Sequence, residues 1–544
     1  MAISNDLKKV LGIQNEFYGT SARDIITGTD GNDYIEAKSG GSGAWGGPFA
    51  GGNNYEFLNG NGGNDTIGYS ESSGAVTIDL SKPEAFYQGE SWLHWFANNT
   101  LGVVWRGVEA LGHTVFSFGG VNEWDKVFVD NNYFAIHATG GDAEGTDGKD
   151  VDVAIGFENV AGSNHDDSLT GDETNNKLAG LDGKDILSGG DGDDLLIGGV
   201  GADQLDGGAG IDTASYFDSA NGVSVNLATG HGTSGTATGD TLISIESVQG
   251  SAYADTLVGN SVANHISGGA GDDTLRGGAG ADYLNGGTGF DTANYSDSAE
   301  DVSVNLATGH GTSGTATGDT LISIEGVQGS AYADTLIGNS AANHIGGGAG
   351  DDTLRGGAGA DHLDGGAGFD TVTYFDSPKG VSVNLATGHG TSGTAYNDTL
   401  ISIEGVRGSG YNDTLIGNSA ANTLFGSYGK DALTGGAGGD RFIFESARDT
   451  AVGFKNADRI TDFNSAQGDV IDLSKIDENG SNDIGNGNFN FIGTGAYTKH
   501  AGELRYDVVG HDVVIGGDIN GDGVSDFNIV LSDVASLKFS DFVL

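Results

Sequence analysis

The sequence predicts an all-β chain: a right-handed parallel β-roll solenoid with a β-rich C-terminal cap. Three observations point there. A glycine-aspartate nonapeptide recurs without gaps, as GGDGDDLLI (189–197), GGVGADQLD (198–206) and GGAGIDTAS (207–215), and again as GGAGDDTLR (268–276), GGAGADYLN (277–285) and GGTGFDTAN (286–294). A longer period encloses it, because the segment that starts at Asp212 returns at Asp291 and at Asp370, 79 residues apart each time. Glycine supplies 100 of 544 residues with only three prolines and no G-X-Y period, so it serves tight turns and not a collagen helix.

The nonapeptide has the form G-G-x-G-x-D-x-U-x, with U a large apolar residue. Its first six residues suit a tight loop, and its last three suit a short strand whose apolar member points inward. In one array the inward members are Leu257, Ile266, Leu275 and Leu284, nine residues apart. Two nonapeptides then make one turn of 18 residues with two parallel strands. The super-repeat intervals support this, since Asp370 to Asp440 is 70 residues and Glu158 to Glu246 is 88, each differing from 79 by one nonapeptide. Between the arrays, Val223, Val225 and Leu227 alternate, as do Ile243 and Ile245. These segments are expected to be wider coils of the same stack.

Residues 1–80 are a degenerate copy of the plan, with GTSARDIIT (19–27) and GTDGNDYIE (28–36) in register and GGNNYEFLN (51–59) and GNGGNDTIG (60–68) after a slip. Residues 81–149 form an aromatic-rich insertion, and all five tryptophans fall within the first 124 residues. Residues 150–440 hold the main arrays. Residues 441–544, richer in Phe, Ile and Val, are expected to form a mixed β-rich cap with one or two short helices.

The formal net charge is −53, from 23 Lys+Arg against 76 Asp+Glu. That excludes a nucleic-acid partner, which needs a basic surface, and an anionic membrane surface. The carboxylates recur at one position of each repeat, where without a cation they would repel one another. Calcium, a hard ion that takes six to eight oxygens in flexible geometry, suits aspartates and glycine-loop carbonyls. There is no cysteine, so metal replaces disulfides as a stabiliser. No stretch reaches the roughly 18 apolar residues of a membrane span. The N-terminus lacks an apolar core and cleavage site, so no Sec-type signal is expected.

These arrays, at roughly 160–215, 250–294, 329–370 and 408–440, resemble those of RTX (repeats-in-toxin, hemolysin-type) proteins. The tail, with RITDFNSAQGDVIDLSKID, DINGDGVSDFNIVL and a terminal DFVL, resembles the C-terminal domain of serralysin-type proteins. The resemblance implies calcium between successive turns and export by a type I secretion apparatus that reads an uncleaved C-terminal signal. It makes the sixth-position aspartates ligands: Asp24, Asp33, Asp65, Asp167, Asp185, Asp194, Asp203, Asp212, Asp255, Asp273, Asp282, Asp291, Asp334, Asp352, Asp361, Asp370, Asp413, Asp431 and Asp440. Asn176, Asn264, Asn343 and Asn422 replace Asp once per array and offer oxygen without charge, so weaker or empty sites are expected there. Asp518, Asn520, Asp522 and Asp526 resemble the start of an EF-hand loop, although Ile529 stands where its glutamate would be. The alternative for that loop is a plain Asx-turn.

His231, His310 and His389 also recur every 79 residues, but no carboxylate or cysteine accompanies them at ligand spacing, so they are expected to be repeated loop residues. H-E-x-x-H and G-x-S-x-G are absent, as is any cysteine nucleophile. The expected function is that of a secreted, non-enzymatic calcium-binding protein of the cell surface or extracellular matrix: S-layer-like, adhesive or polysaccharide-associated. Its expected partners are calcium, the secretion apparatus, and surface polysaccharide or copies of itself. The alternatives place a polysaccharide-modifying site (Glu84, Glu90, Glu109 and Glu123 are available) or a glycan-binding surface with Trp92 and Trp95 in the insertion.

Overall fold

The computed structural model describes residues 159–162, 164–476 and 489–544, together with the backbone of strands before them. Among these residues the chain is strand, turn and 3₁₀ turn, with no α-helix. It divides into two compact units, Met1–Leu275 with Asn285–Gly289, and Arg276–Leu284 with Phe290–Leu544.

Within the nonapeptide array of the first unit, partners in the ladder are 18 residues apart. Ser168–Thr170, Ile186–Asp191 and Gln204–Ala209 pair in parallel, placing Leu169 beside Leu187 and Leu187 beside Leu205. The opposite sheet pairs Asn159–Ala161, Lys177–Gly183, Leu195–Gly201 and Thr213–Ser215, with Val160, Leu178, Leu196 and Ala214 in register. The step of 18 follows from the sequence: one nonapeptide makes each strand, and two close a turn. The eighth-position side chains are the core, and Leu169, Leu178, Leu187 and Leu196 are fully buried. Each such burial contributes about 1.5–3 kcal/mol. Farther toward the N-terminus, Asn15–Tyr18 pairs in parallel with Asp33–Glu36, again 18 residues apart. Thr66–Gly68 pairs with Asn159–Ala161 and Thr77–Asp79 with Ser168–Thr170. Of residues 81–149, only the strand Ala138–Gly140 is described. Trp92, Trp95 and the four glutamates of that stretch lie outside the described residues.

The segments between arrays are not simple wide coils. Ser224–Asn226 runs forward, His231–Ser234 returns antiparallel to it, and Thr241–Ile243 runs forward again beside Gln204–Ala209. An S-shaped three-strand meander is thus inlaid in a parallel sheet. Nor do Ile243 and Ile245 share a face: Ile243 is 41% exposed and Ile245 is buried. Ser244 between them takes a φ of +49°, which reverses the alternation, and Leu242 fills the core in place of Ile243.

The second unit repeats the meander as Ser303–Asn305, His310–Ser313 and Thr320–Ile322, and as Ser382–Asn384, His389–Ser392 and Thr399–Ile401. The two copies lie in opposite sheets of this unit. The stack does not stop where the glycine repeat ends. Asp458–Ile460 pairs with Ala432–Thr434, and Val470–Asp472 with Arg441–Ile443, adding further rungs. Glu503–Val509, Asp512–Asp518 and Phe527–Leu531 form an antiparallel meander, docked in parallel on Asp458–Ile460. The expected tail helices are replaced, among the described residues, by strands and the 3₁₀ turn Phe539–Asp541. Apolar residues there recur with period two (Val513 and Ile515; Leu504 and Tyr506), which selects strand.

Candidate metal centre

Each turn brings the sixth-position carboxylate of one coil under the backbone of the coil before it. The Asp185 N–H donates to Asp203 Oδ1 at 2.9 Å, Asp194 N–H to Asp212 Oδ1 at 2.8 Å, and Asp352 N–H to Asp370 Oδ1 at 2.8 Å. Asp167 donates likewise to Asp185, Asp255 to Asp273, Asp334 to Asp352 and Asp413 to Asp431. One oxygen of each accepting carboxylate is therefore committed to the ladder. The other is not: Oδ2 of Asp185, Asp194, Asp203, Asp212, Asp352, Asp361, Asp370, Asp431 and Asp440 is buried without a hydrogen-bond partner. A row of buried, half-satisfied carboxylates is costly unless a cation completes it.

The surroundings fit calcium. A Cβ placed on Gly189, the first glycine of its repeat, would collide with Asp194 Oδ2 and sit 2.6 Å from the Gly207 carbonyl oxygen of the next turn. Gly180 is in the same position, between Asp185 Oδ2 and the Gly198 carbonyl. The space left by the missing side chain is lined by oxygens from two successive coils. Among the described residues no three His, Cys, Asp or Glu side chains gather around one point. A cation here would draw on main-chain carbonyls as well as carboxylates, which suits a hard, oxygen-seeking ion and not zinc.

Without a cation, burial above all raises these carboxyls: Asp194 is pushed up to about 7, Asp185 to about 8 and Asp431 to about 9. The backbone N–H on each opposes the shift without cancelling it.

The sixth-position residues are not all alike. Asp255 has both oxygens occupied, Oδ1 by Val223 N–H and Ser251 Oγ, and Oδ2 by Ser251 N–H at 2.6 Å. Asp334 with Ser330 and Asp413 with Ser409 repeat the arrangement. The asparagines are closed in the same way, with Asn264 Oδ1 accepting Asn260 N–H, Asn343 Oδ1 accepting Asn339 N–H and Asn422 Oδ1 accepting Asn418 N–H. The second residue of the repeat decides. A glycine there sits at positive φ (+112° at Gly190, +98° at Gly357), which turns its N–H away from the carboxylate. Ser251, Asn260 and their counterparts do not take positive φ, and their N–H caps the side chain four residues on. Leu181 (+84°) and Ser427 (+68°) hold the glycine conformation although they are not glycine, and their repeats, at Asp185 and Asp431, are open.

Several carboxylates join the ladder from outside the nonapeptide. Asp203 N–H donates to Asp240 Oδ1, Asp282 N–H to Asp319 Oδ1 and Asp361 N–H to Asp398 Oδ1. Glu246, Glu325 and Glu404 receive the N–H of Asp212, Asp291 and Asp370. Asp458 and Asp469 receive those of Asp431 and Asp440. All share a signal within the nonapeptide itself: an acid, any residue, then a large apolar residue (DTL, ESV, DRI, DVI), without the leading glycines. In the meander coils the second oxygen of the aspartate is satisfied by protein. The buried Tyr216 hydroxyl donates to Asp240 Oδ2 at 3.1 Å, and Tyr295 and Tyr374 serve Asp319 and Asp398 at 3.0 Å.

The EF-like loop folds onto itself. Asp518 accepts the N–H groups of Gly521 and Gly523, Asp522 accepts that of Val524, Asn520 accepts that of Asp522, and Asp526 accepts that of Ile519. These contacts are those of successive Asx-turns, which place the oxygens of Asp518, Asn520, Asp522 and Asp526 in one loop. Asp24 and Asp65 lie outside the described residues, and Asp33 is described only as the first residue of a strand. His231, His310 and His389 each open the exposed returning strand of a meander.

The fold and its carboxylate ladder define a calcium-binding β-roll. The comparison with known families agrees: residues 15–42, 161–196, 179–214, 258–293, 327–354, 337–372 and 407–442 match the RTX calcium-binding nonapeptide repeat. The chain carries RTX repeats, and these bind calcium ions in multiple copies. No curated protein matches the chain.

Proposed function

We propose that the chain is a non-enzymatic extracellular protein whose fold is switched on by calcium after type I export, and that it works at the cell surface or in extracellular matrix. RTX repeats are typical of proteins exported by that route. The reading rests on one observation, the ladder of buried carboxylates whose second oxygens have no protein partner. Where calcium is scarce, those carboxylates oppose closure of the roll and the chain stays threadable. Where calcium is abundant, the ions complete the turns and folding is driven forward. An S-layer-like, adhesive or polysaccharide-associated role suits a long acidic roll without a motif for catalysis.

Far-UV circular dichroism in excess chelator and in millimolar calcium tests the reading. A disordered spectrum that becomes β-rich on adding calcium is expected. A β-rich spectrum in chelator would overturn it.

A further inference from the structure

The strand Asp458–Ile460 joins the last nonapeptide coil to the C-terminal meander. On one side Ile460 pairs with Leu433, and on the other with Leu531. It lies beyond residue 442, where the last RTX match ends. Yet its first residue repeats the geometry of an open site. Asp458 is fully buried, its Oδ1 accepts the Asp431 N–H at 2.8 Å, and the Oδ2 atoms of both aspartates are buried without partners. Arg459, next in sequence, does not neutralise the pair, because its guanidinium is engaged by Asp512 and Ser532. Nearby Asp413 is closed by Ser409, and Asp449 accepts the N–H groups of Glu445 and Ser446. Asp458 is also tied to the cap through its backbone: its N–H donates to Thr450 Oγ1, which donates to the Asn528 carbonyl at 2.7 Å.

We propose that a calcium ion held between Asp431, in the last recognised repeat, and Asp458, beyond it, clamps the C-terminal meander onto the roll. Each aspartate supplies one free oxygen. The ligand set is oxygen only, and the seam would close only when the ion binds. The inference rests on the calcium-dependent folding proposed above.

Hydrogen exchange on the full chain at graded calcium tests it, with Thr353–Arg355 and His362–Ala367 as internal controls. In the native chain, protection of 458–460 and 527–531 is expected to rise with calcium. Asp458→Asn keeps the acceptor for the Asp431 N–H but removes the charge, and is expected to lower calorimetric stoichiometry by one ion and to uncouple seam protection from calcium while the controls still respond. Asp431→Asn, on the roll side, should lose the same single ion. Unchanged stoichiometry in either variant, or a seam equally protected in chelator while the controls gain protection, would overturn the clamp. Controls that ignore calcium would instead overturn the calcium-dependent roll.

Discussion

At the scale of single residues, the second position of each nonapeptide matters as much as the sixth. Glycine at positive φ leaves the aspartate open; serine there caps it, and asparagine there caps a sixth-position asparagine. Two sixth-position aspartates of the same unit should therefore behave differently. Asp352→Asn is expected to lose a calcium ion in titration calorimetry, because Asp352 Oδ2 is otherwise without a partner. Asp334→Asn is expected to leave stoichiometry unchanged, because Ser330 already occupies both oxygens of Asp334. A calcium count that falls equally in both would refute the distinction. Ser427, held at +68°, carries backbone strain that glycine would not. Ser427→Gly should stabilise the calcium-loaded roll by about 0.5–1 kcal/mol, read as a higher melting temperature; a lower one would show that the Ser427 side chain matters more than its backbone.

At the scale of elements, the parallel strands were legible because each nonapeptide carries both its turn and its inward residue. Leu257, Ile266, Leu275 and Leu284 are all fully buried, as their spacing requires. The meanders were not legible. Their alternation signals strand, but nothing in it says that His231–Ser234 runs backwards, and Ser244 at positive φ breaks the period where a non-glycine residue hides the break. The extra ladder carboxylates are hard to read in the sequence for a related reason: Asp240, Glu246 and Asp458 keep the acid-x-apolar half of the motif without its glycine half. The meander coils also replace an ion with a hydroxyl. Tyr295→Phe removes the donor to Asp319 Oδ2 and leaves a buried acceptor unpaired, a cost of about 1–3 kcal/mol. The expected result is a lower melting temperature in saturating calcium, and an unchanged value would mean that the Tyr295–Asp319 bond contributes nothing net.

At the scale of the whole molecule, a net charge of −53 and a row of buried carboxylates make calcium and protons alternative ways of closing the same roll. An aspartate in the unfolded chain titrates near 3.9. In the calcium-free roll burial raises Asp352 to about 6, Asp194 to about 7 and Asp458 to about 8. The folded form thus binds more protons than the unfolded form between those limits, and its stability falls as pH rises through the window. Below the unfolded value both forms are protonated and the carboxylates no longer penalise closure. Calcium acts in the opposite sense, because it needs the ionised carboxylates and must displace their protons. The stability difference between calcium-loaded and calcium-free protein is therefore expected to be largest near pH 8.5 and to shrink steadily toward pH 5. Sodium chloride screens exposed charges but does not reach the buried oxygens, so it should not reproduce the effect of calcium. Calcium titrations followed by far-UV circular dichroism at each pH across that range, at constant ionic strength, check the sign. A calcium effect that grows on acidification would mean that the buried aspartates are not where the ions bind.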